Sequence, residues 1–371
     1  MRIGVPKESL STETRVALTP ETISKLVSSG HTVTVQKSAG NGSGFSDSDY
    51  QNAGSELDNS VESIAKSSDL LIHVGIPDPS ELEYLKPGSV LISILGARTE
   101  LKLLELLTKS KITAFSMELV PRIARAQRMD VLSSQASIAG YKGALLAAMH
   151  YGKYFPMMMT AAGTIPPAKV LVIGAGVAGL QAIATANRLG AVVYAYDVRP
   201  TVKEQVESLG ATFIELPETH LSETDDGYAK EQDENDQSKQ RELLKNQISD
   251  SDIIITTAAV PGRPAPKLID KQMLSIMKSG SVILDLASDT GGNCDVTQPG
   301  KIITTENGVI VDGPTNLAST VPTDASTLYS RNIMALLEIL IDKNGELHLD
   351  FEDDIIDAMC ITHDGKLRLT L

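Results

Sequence analysis

The feature that most constrains the fold is a glycine pattern placed directly between an apolar strand and an alanine-rich helix. In KVLVIGAGVAGLQAIATANRLG the glycines are Gly174, Gly176 and Gly179. In such a unit the first glycine permits a tight turn, the second lets the backbone approach a pyrophosphate at the helix N-terminus, and the third permits close helix–strand packing. The pattern therefore predicts a dinucleotide-binding Rossmann unit. A tight turn that binds nothing is the alternative interpretation.

An acidic residue follows at the spacing that a ribose contact requires. Asp197 ends the next apolar strand, VVYAYD, about 20 residues beyond the glycines, where a carboxylate can hold both hydroxyls of an adenosine ribose. This position favours NAD(H) over NADP(H). Arg199 lies just beyond the same strand and supports the alternative, because an arginine there could accommodate a 2′-phosphate.

The rest of the chain alternates short β-branched segments with amphipathic ones, which predicts parallel sheets covered by helices on both faces. Its 371 residues suggest more than one domain. We predict an α/β fold of two doubly wound, parallel-sheet Rossmann-like domains, the first of them discontinuous. The expected bounds are 1–132 plus 326–371 for the first domain and 133–325 for the NAD(H)-binding domain. Asp130 is expected to cap a long helix that starts near Val131.

Composition excludes several classes of function. The net charge is -14 and no basic stripe follows any predicted helix, so a nucleic-acid partner is not expected. Cys294 and Cys360 lie in unrelated contexts without metal-ligand spacing, as in a reducing compartment. The histidines show no metal-like spacing either, and His73, inside LLIHVGI, is expected to be a core residue with satisfied hydrogen bonds. Because no apolar segment approaches the roughly 18 to 20 residues of a spanning helix, the chain is not expected to cross a membrane.

A second candidate site is the connection RIARAQRMD, residues 122–130, which concentrates arginines in a chain otherwise sparing with them. It precedes the long small-residue-rich helix and is expected where one domain hands over to the other, a common place for ligands. A solvated inter-domain turn is the alternative. The first domain has no GxGxxG pattern after any strand, so its fold alone does not assign it a nucleotide.

Several segments together resemble the NAD(H)-binding domain I of proton-translocating nicotinamide nucleotide transhydrogenase. They are MRIGVPKE with ETRVALTP, PRIARAQRMD, IAGYKGALLAA, TAAGTIPPAKVLVIGAGVAGLQAIATANRLGAVVYAYDVRPTVKEQVESLGA, DGYAKE, PGRPAPKLI and GSVILDLASDTGGNC. The resemblance extends from residue 1 to about residue 340. It implies that hydride passes between NAD(H) here and NADP(H) on a partner, domain III, and that membrane domain II couples the transfer to proton movement.

The same resemblance implies a homodimer, located in the cytoplasm at the inner membrane of a bacterium. Because the chain ends at Leu371 without a spanning segment or a second nucleotide domain, the membrane and NADP(H)-binding parts are expected on other polypeptides, unless this is a fragment.

The resemblance assigns the 122–130 connection to the nicotinamide end of NAD(H). The residues implied to hold this end are Arg122, Gln127, Asp130 and Ser133. Gln127 would hydrogen-bond the carboxamide or ribose and is the predicted catalytic residue, while Arg122 and Asp130 orient each other. Arg128 and Met129 are expected to contact the cofactor through their backbone; relatives often have serines in place of Ala124 and Arg128. The remaining cofactor contacts implied are Val177 and Ala178 beside the pyrophosphate and Val198 beside the adenine.

The acidic segment 215–242 is poor in apolar residues, and on composition alone it is a surface loop that cannot order itself firmly. The resemblance assigns GYAKE within it to a mobile lid. Gly227 and Tyr228 would then close over the bound nucleotide and exclude water.

Alanine dehydrogenase is the nearest similar family, and it shares the RIGVPKE and RVALTP segments. That enzyme needs a lysine and a histidine for proton transfer, and the corresponding positions here are Gly75 and Gly96, which cannot titrate. Loss of such a group costs about 100-fold to 10,000-fold in rate. Hydride transfer between two nicotinamides moves no proton at the reacting carbons, so positioning suffices. Arg15 remains and is expected to be structural. The alternative functions are a dehydrogenase acting alone and a non-catalytic NAD(H) sensor.

Overall fold

The computed structural model describes residues 1–215, 242, 244–259 and 263–369. The chain divides into two compact units: unit 1 comprises Met1–Gln135 with Ala318–Leu371, and unit 2 comprises Ala136–Leu317. Each unit contains a predominantly parallel sheet whose strands alternate with helices. The predicted α/β fold class, with a discontinuous first domain, is confirmed.

The strands in chain order are β1 (Arg2–Val5), β2 (Thr32–Gln36), β3 (Glu56–Asp58), β4 (Leu70–Ile72), β5 (Val90–Ser93), β6 (Thr113–Ser116), β7 (Met158–Thr160), β8 (Gly163–Ile165), β9 (Lys169–Ile173), β10 (Val192–Tyr196), β11 (Thr212–Phe213), β12 (Ile253–Thr256), β13 (Val282–Asp285), β14 (Lys301–Thr304), β15 (Ile310–Gly313), β16 (Cys360–His363) and β17 (Lys366–Leu367). The helices are α1 (Pro20–Ser28), α2 (Asp47–Asn52), α3 (Val61–Ser67), α4 (Pro79–Leu82), α5 (Leu101–Lys109), α6 (Val131–His150), α7 (Val177–Arg188), α8 (Lys203–Ser208), α9 (244–250), α10 (Lys271–Ser275), α11 (Pro322–Leu340) and α12 (Asp354–Met359).

The sheet of unit 1 has the strand order β17-β16-β6-β5-β4-β1-β2-β3. Strands β1 to β6 are parallel to their neighbours, and β1 pairs with β2 on one side and β4 on the other. The two strands of the C-terminal tail, β16 and β17, extend the β6 edge in antiparallel fashion. The tail therefore completes the first sheet.

Both faces of this sheet are buried, which explains why its strands are apolar without interruption. Leu70 and Ile72 belong to the apolar cluster on one face, together with α11. Leu71, between them, belongs to a separate cluster that includes α5. Successive side chains of a strand alternate between faces, so a continuous apolar segment such as LLI fits a sheet that is covered on both sides.

The sheet of unit 2 has the order β11-β10-β9-β12-β13-β15-β14. All neighbours are parallel except β14, which returns antiparallel to β15. Leaving β14 aside, the order matches the 3-2-1-4-5-6 arrangement of dinucleotide-binding sheets, with β9 as the first strand. The strand order reverses between β9 and β12, and this is the crevice where such sheets bind ligands.

Two long helices complete the units. The small residues of α6 allow close packing, because a Cβ on Gly140 would lie 2.0 Å from the carbonyl oxygen of Ala178 in the first turn of α7. Helix α11 packs in the core of unit 1, where the Tyr329 hydroxyl donates to the carbonyl of His73 at 2.6 Å. None of the helices in the described part of the chain is long and apolar enough to span a membrane.

Candidate functional site

The glycine-rich loop, residues 174–179, joins β9 to α7 in a form that larger residues cannot adopt. Gly174 has φ 98°, in the left-handed region, and its Cβ would lie 2.6 Å from Thr257 Oγ1. A Cβ on Gly179 would lie 1.8 Å from the carbonyl oxygen of Gly174. Around Gly176, no heavy atom of the described residues lies within 4 Å of the Cβ position. Two glycines are therefore required by the protein itself, whereas Gly176 leaves open space beside the backbone.

This open space lies at the N-terminus of α7. Gly176 is the extended N-cap residue, and its carbonyl accepts from the Leu180 amide at 2.8 Å. The preceding amides of the first turn have no carbonyl partner within the helix, and the helix dipole places partial positive charge there. Val177 is 43% exposed, so the turn is open to solvent. These properties fit the pyrophosphate of a dinucleotide.

Asp197 follows β10 and is held by several donors. Its Oδ2 accepts from the Ala175 amide at 2.6 Å, and its Oδ1 accepts from the Arg199 amide at 2.9 Å. The Arg199 side chain adds Nε to Oδ1 and Nη2 to Oδ2, each at 2.9 Å. The carboxylate is thus fixed beside the glycine-rich loop. The guanidinium that could have met a 2′-phosphate is engaged with Asp197, and Val198 lies half-buried between the two residues.

Sequence reasoning missed a residue that secures the loop from the neighbouring strand. Thr257 follows β12, and its amide donates to the carbonyl of Ile173 at 2.8 Å. Its hydroxyl donates to the carbonyl of Gly174 at 2.9 Å. Thr257 therefore closes the reversal point between β9 and β12. Its place at the end of an apolar strand was the available signal.

Asp285, at the end of β13, was also missed. Its fully buried carboxylate accepts five hydrogen bonds, from Thr256 Oγ1, the Ala287 amide, the Asn293 amide, the Cys294 amide and Thr297 Oγ1. Asn293 in turn donates through Nδ2 to the carbonyls of Ala258 at 2.7 Å and Pro266 at 2.9 Å. A buried carboxylate needs such partners. This network holds the connection after β12 at the carboxyl edge of the sheet, and it gives the GGNC segment a structural role.

The 122–130 connection lies in unit 1 and contains a 3-10 helix, Ala124–Met129. Ala126 and Met129 are buried in the apolar cluster that includes α11. The arginines point to the C-terminal part of the unit: Arg125 Nη2 donates to Asp353 Oδ1 at 3.0 Å, and Arg128 Nη1 donates to Glu338 Oε2 at 2.9 Å. Two of the three arginines are therefore engaged in ion pairs within unit 1.

Gln127 lies between these two arginines and differs from both. Its side chain is exposed, and its amide makes no hydrogen bond within the described part of the chain. Asp130 caps α6 as predicted, because Ser133 donates to it through the amide at 2.8 Å and the hydroxyl at 2.6 Å. Arg122 is exposed. Gln127 is thus an amide held on a fixed backbone and available to a ligand.

Two predicted contacts, Gly227 and Tyr228, lie outside the described residues, as do residues 260–262 of the PGRPAP segment. Of the other predicted positions, the structure brings together the glycines, Val177, Ala178 and Asp197 at the β9–α7 turn of unit 2. It places Arg122 to Ser133 in unit 1.

The positions compared with alanine dehydrogenase lie in unit 1. The Gly75 amide donates to Glu8 Oε2 at 3.0 Å, and Gly96 has φ 61°. Arg15 is buried, with its Nη2 2.6 Å from Glu13 Oε2 and its Nη1 2.9 Å from Gln135 Oε1. These partners give the arginine a structural role.

The expectation for His73 is correct for burial and wrong for hydrogen bonding. Its side chain is fully buried, but neither ring nitrogen makes a hydrogen bond to a described residue. The nitrogens instead face two carboxylates, with Nδ1 3.6 Å from Glu8 Oε1 and Nε2 3.5 Å from Glu81 Oε2. Burial alone would lower the pKa of His73, but the carboxylates of Glu8 and Glu81 more than offset this effect and raise it above its usual value.

The thiols are unsuited to nucleophilic chemistry. Burial raises the pKa of Cys294 to about 11 and that of Cys360 to about 12, so both are protonated near neutral pH. In the portion of the chain that the structure describes, no group of three or more His, Cys, Asp or Glu side chains is placed to hold a metal ion.

Family models match both halves of the chain. The alanine dehydrogenase/PNT N-terminal domain matches residues 4–139, and the C-terminal domain matches residues 143–370. The chain belongs to the alanine dehydrogenase/PNT family. The resemblance expected from the sequence motifs is thereby confirmed at the level of the family.

Within the alanine dehydrogenase/PNT family the chain is more similar to transhydrogenases than to the dehydrogenases. It is 46% identical over 375 residues to the first of the polypeptides that make up NAD(P) transhydrogenase subunit alpha in Rhodospirillum rubrum, covering 99% of this chain and 97% of that protein. The crystal structure of transhydrogenase from Sinorhizobium meliloti has a TM-score of 0.90 and 43% identity, covering 99% of this chain and all of that one. Alanine dehydrogenase 2 of Staphylococcus aureus is 32% identical over 357 residues, covering 93% of this chain and 88% of that protein.

Proposed function

We propose that this chain is the NAD(H)-binding component of a proton-translocating NAD(P)+ transhydrogenase. It would pass hydride between NAD(H) bound here and NADP(H) bound by domain III of a partner, with membrane domain II coupling the transfer to proton translocation. The observation that carries the proposal is the combination of a dinucleotide-binding turn with non-titratable glycines, Gly75 and Gly96, in a chain 46% identical to a transhydrogenase subunit.

The adenine half of NAD(H) would be held in unit 2. Gly174, Gly176 and Gly179 let the backbone approach, and the first-turn amides, including those of Val177 and Ala178, face the pyrophosphate. Asp197 would accept from the ribose hydroxyls, with Val198 beside the adenine. Because Arg199 is paired with Asp197, we propose that it orients this carboxylate and that the cofactor here is NAD(H), with NADP(H) confined to the partner.

The nicotinamide end would be held by the 122–130 connection and the first turn of α6. The proposed contacts are Arg122, Gln127, Asp130 and Ser133 through side chains, and Arg128 and Met129 through their backbone. Gln127 is the proposed catalytic residue, supported by its exposed amide without an intramolecular partner among the described residues. Bound NADH supplies the hydride, and Gln127 fixes the ring by hydrogen-bonding its carboxamide or ribose. Gly227 and Tyr228, outside the described residues, are proposed lid contacts that exclude water.

A stand-alone alanine dehydrogenase is less well supported by the structure. Reduction of an imine or ketone needs a positioned proton donor, and Gly75 and Gly96 supply none. Arg15, the remaining polar position of that comparison, is already paired with Glu13 and Gln135. A non-catalytic NAD(H) sensor would share the same nucleotide-binding residues, so only a transfer assay separates it from the first proposal.

We further propose that the chain acts as a homodimer in the cytoplasm, peripheral to the inner membrane. An exposed apolar hairpin supports self-association: Met157, Met159 and Ile165 around β7 and β8 are 54%, 77% and 42% exposed. Exposed apolar patches of this kind mark protein interfaces. Sedimentation equilibrium would give twice the chain mass for a dimer.

The proposed activity is tested by mixing the purified chain with a purified NADP(H)-binding domain III, NADH and thio-NADP+. We expect reduction of thio-NADP+ only when both proteins are present. Reduction of NAD+ by alanine with this chain alone would support the dehydrogenase. Tight NADH binding without transfer in any reconstitution would support the sensor.

A further inference from the structure

Beyond the residues already assigned, we propose that Asn332 is a positioning residue for hydride transfer, because it holds the backbone that carries Gln127. This inference rests on the function proposed above. Asn332 does not belong to the 122–130 connection and does not contact Gln127. It lies on α11, in the C-terminal part of unit 1.

The amide of Asn332 joins the two segments on either side of Asp130. Its Nδ2 donates to the carbonyl of Arg128 at 2.8 Å, and its Oδ1 accepts from the Ser134 hydroxyl at 2.7 Å. Arg128 is in the last turn of the 3-10 helix, and Ser134 is in the first turn of α6. Because Asn332 is buried, with 7% exposure, water does not readily replace either bond.

The other contacts of the connection with α11 leave this function to Asn332. Ala126 and Met129 share a buried apolar cluster with Ile333 and Leu336, which fixes the depth of the connection but not its rotation. The Arg128–Glu338 ion pair is exposed, with 71% and 49% of the side chains accessible, so solvent screens it. The directional buried hydrogen bond from Asn332 therefore sets the orientation of the backbone around Gln127.

Orientation is what the proposed role of Gln127 requires. A misplacement of about 1 Å can cost up to about 100-fold in the rate of a step that depends on alignment. The pyrophosphate and adenine ribose contacts proposed in unit 2 do not include this backbone. Loss of the Asn332 hydrogen bonds should consequently slow hydride transfer much more than it weakens NADH binding.

The test uses the full chain reconstituted with an NADP(H)-binding domain III. Asn332→Ala removes both hydrogen bonds, and Asn332→Asp keeps an acceptor for Ser134 but loses the donor to the Arg128 carbonyl. For both variants we expect single-turnover transfer to fall about 10-fold, with the NADH dissociation constant changed less than about 3-fold. If the Arg128 bond is the important one, the aspartate does not restore the rate.

Asn307 provides a matched control. Its Nδ2 donates to the carbonyl of Leu274 at 2.9 Å, and its Oδ1 accepts from the Thr305 hydroxyl at 2.7 Å, the same bonding pattern in unit 2. Asn307→Ala should lower thermal stability as Asn332→Ala does, but leave single-turnover transfer within about 2-fold of the native rate. Equal losses of transfer in the two alanine variants would show a general structural effect and overturn the proposal, as would native transfer in Asn332→Ala.

A second readout separates this inference from the proposed function. Amide hydrogen exchange over residues 124–130 should accelerate in Asn332→Ala but not in Asn307→Ala. If the native chain transfers no hydride with any partner, the proposed function fails, and the exchange experiment still decides whether Asn332 holds the connection. Unchanged exchange in Asn332→Ala would overturn the positioning role even in an active enzyme.

Discussion

In unit 2 the central strand β9 is followed by residues 174–176 and then directly by α7, whereas in unit 1 the central strand β1 is followed by the long connection 6–19 before α1. The parallel strands have equivalent orders, with β1, β2 and β4 placed in one sheet as β9, β10 and β12 are in the other. The difference at the end of the central strand decides which unit exposes the N-terminal amides of a helix at its reversal point.

The groups that meet at the two reversal points differ as well. In unit 2, Thr257 donates to the Gly174 carbonyl, and the helix amides beyond it remain available. In unit 1, the Glu8 carboxylate accepts from the amides of Val74 at 2.7 Å and Gly75 at 3.0 Å, so the chain supplies its own anion. A carboxylate at that place repels a phosphate. The comparison teaches that the fold is shared while the nucleotide site is not.

The largest effect should come from a methyl group placed at the equivalent turns. Gly179→Ala forces a Cβ to within 1.8 Å of the Gly174 carbonyl oxygen, and strain of about 3 kcal/mol corresponds to about a 100-fold rise in the NADH dissociation constant. Gly75→Ala is the matched control, because its Cβ would meet only Glu8 Oε2 at 3.6 Å. Equilibrium titration should show native affinity for Gly75→Ala. Comparable losses in both variants would remove the distinction between the units.

The contribution expected from unit 1 is alignment rather than affinity. Gln127→Asn shortens the exposed side-chain amide of the 122–130 connection while keeping its chemistry, so stopped-flow hydride transfer should slow about 30-fold. NADH affinity should change less than about 3-fold, because the phosphate and adenine contacts are elsewhere. Transfer at the native rate would contradict the role of Gln127. A parallel loss of affinity would make it a binding residue instead.

Asp197→Ala sharpens the comparison from the side of unit 2. Removing the carboxylate deletes a charged hydrogen-bond acceptor for the ribose, with a loss of about 1.5 kcal/mol, or about 10-fold in NADH affinity. Isothermal titration at constant salt would measure this change. Unchanged affinity would refute the ribose contact, and a gain in NADPH affinity would show that Arg199, released from Asp197, accepts a 2′-phosphate.

The smallest effect concerns stability and belongs to the acidic reversal point of unit 1. The pKa of His73 is raised in the folded state, so its stabilising interaction with Glu8 and Glu81 is fully present below about pH 6.5 and is lost as the pH rises through the folded-state pKa. The free energy of unfolding of the native chain should therefore fall with rising pH relative to His73→Gln. Parallel pH profiles of the two proteins in urea denaturation would contradict a charged His73.

Local patterns predicted much of this molecule. The glycine spacing identified the β9–α7 turn, strand alternation identified the α/β fold, and Asp130 was expected as the cap of α6; each depends on neighbours within a few residues. The contacts that sequence reasoning missed join distant segments. Asn332 and Arg128 are separated by 204 positions, and Glu8 and Val74 by 66. Their residue types are common, so only the tertiary fold shows that they meet.

His73 illustrates why the remainder could not be predicted. The apolar context LLIHVGI correctly indicated burial, because a strand covered on both faces buries every residue. The same context contains no carboxylate, whereas Glu8 and Glu81 arrive from the connection after β1 and from α4. Burial is encoded locally, but the charge that a buried residue faces is determined by other parts of the chain.

The central claim is that the chain passes hydride to a second nicotinamide and not to a metabolite. The most direct test is a single turnover with NADH carrying deuterium at the transferred position of C4, an NADP(H)-binding domain III and NADP+, followed by mass spectrometry of the products. We predict deuterium in the reduced NADP product, none released to water, and no transfer without the partner domain. Oxidation of the labelled NADH by this chain alone with pyruvate and ammonia, yielding deuterated alanine, would contradict the account.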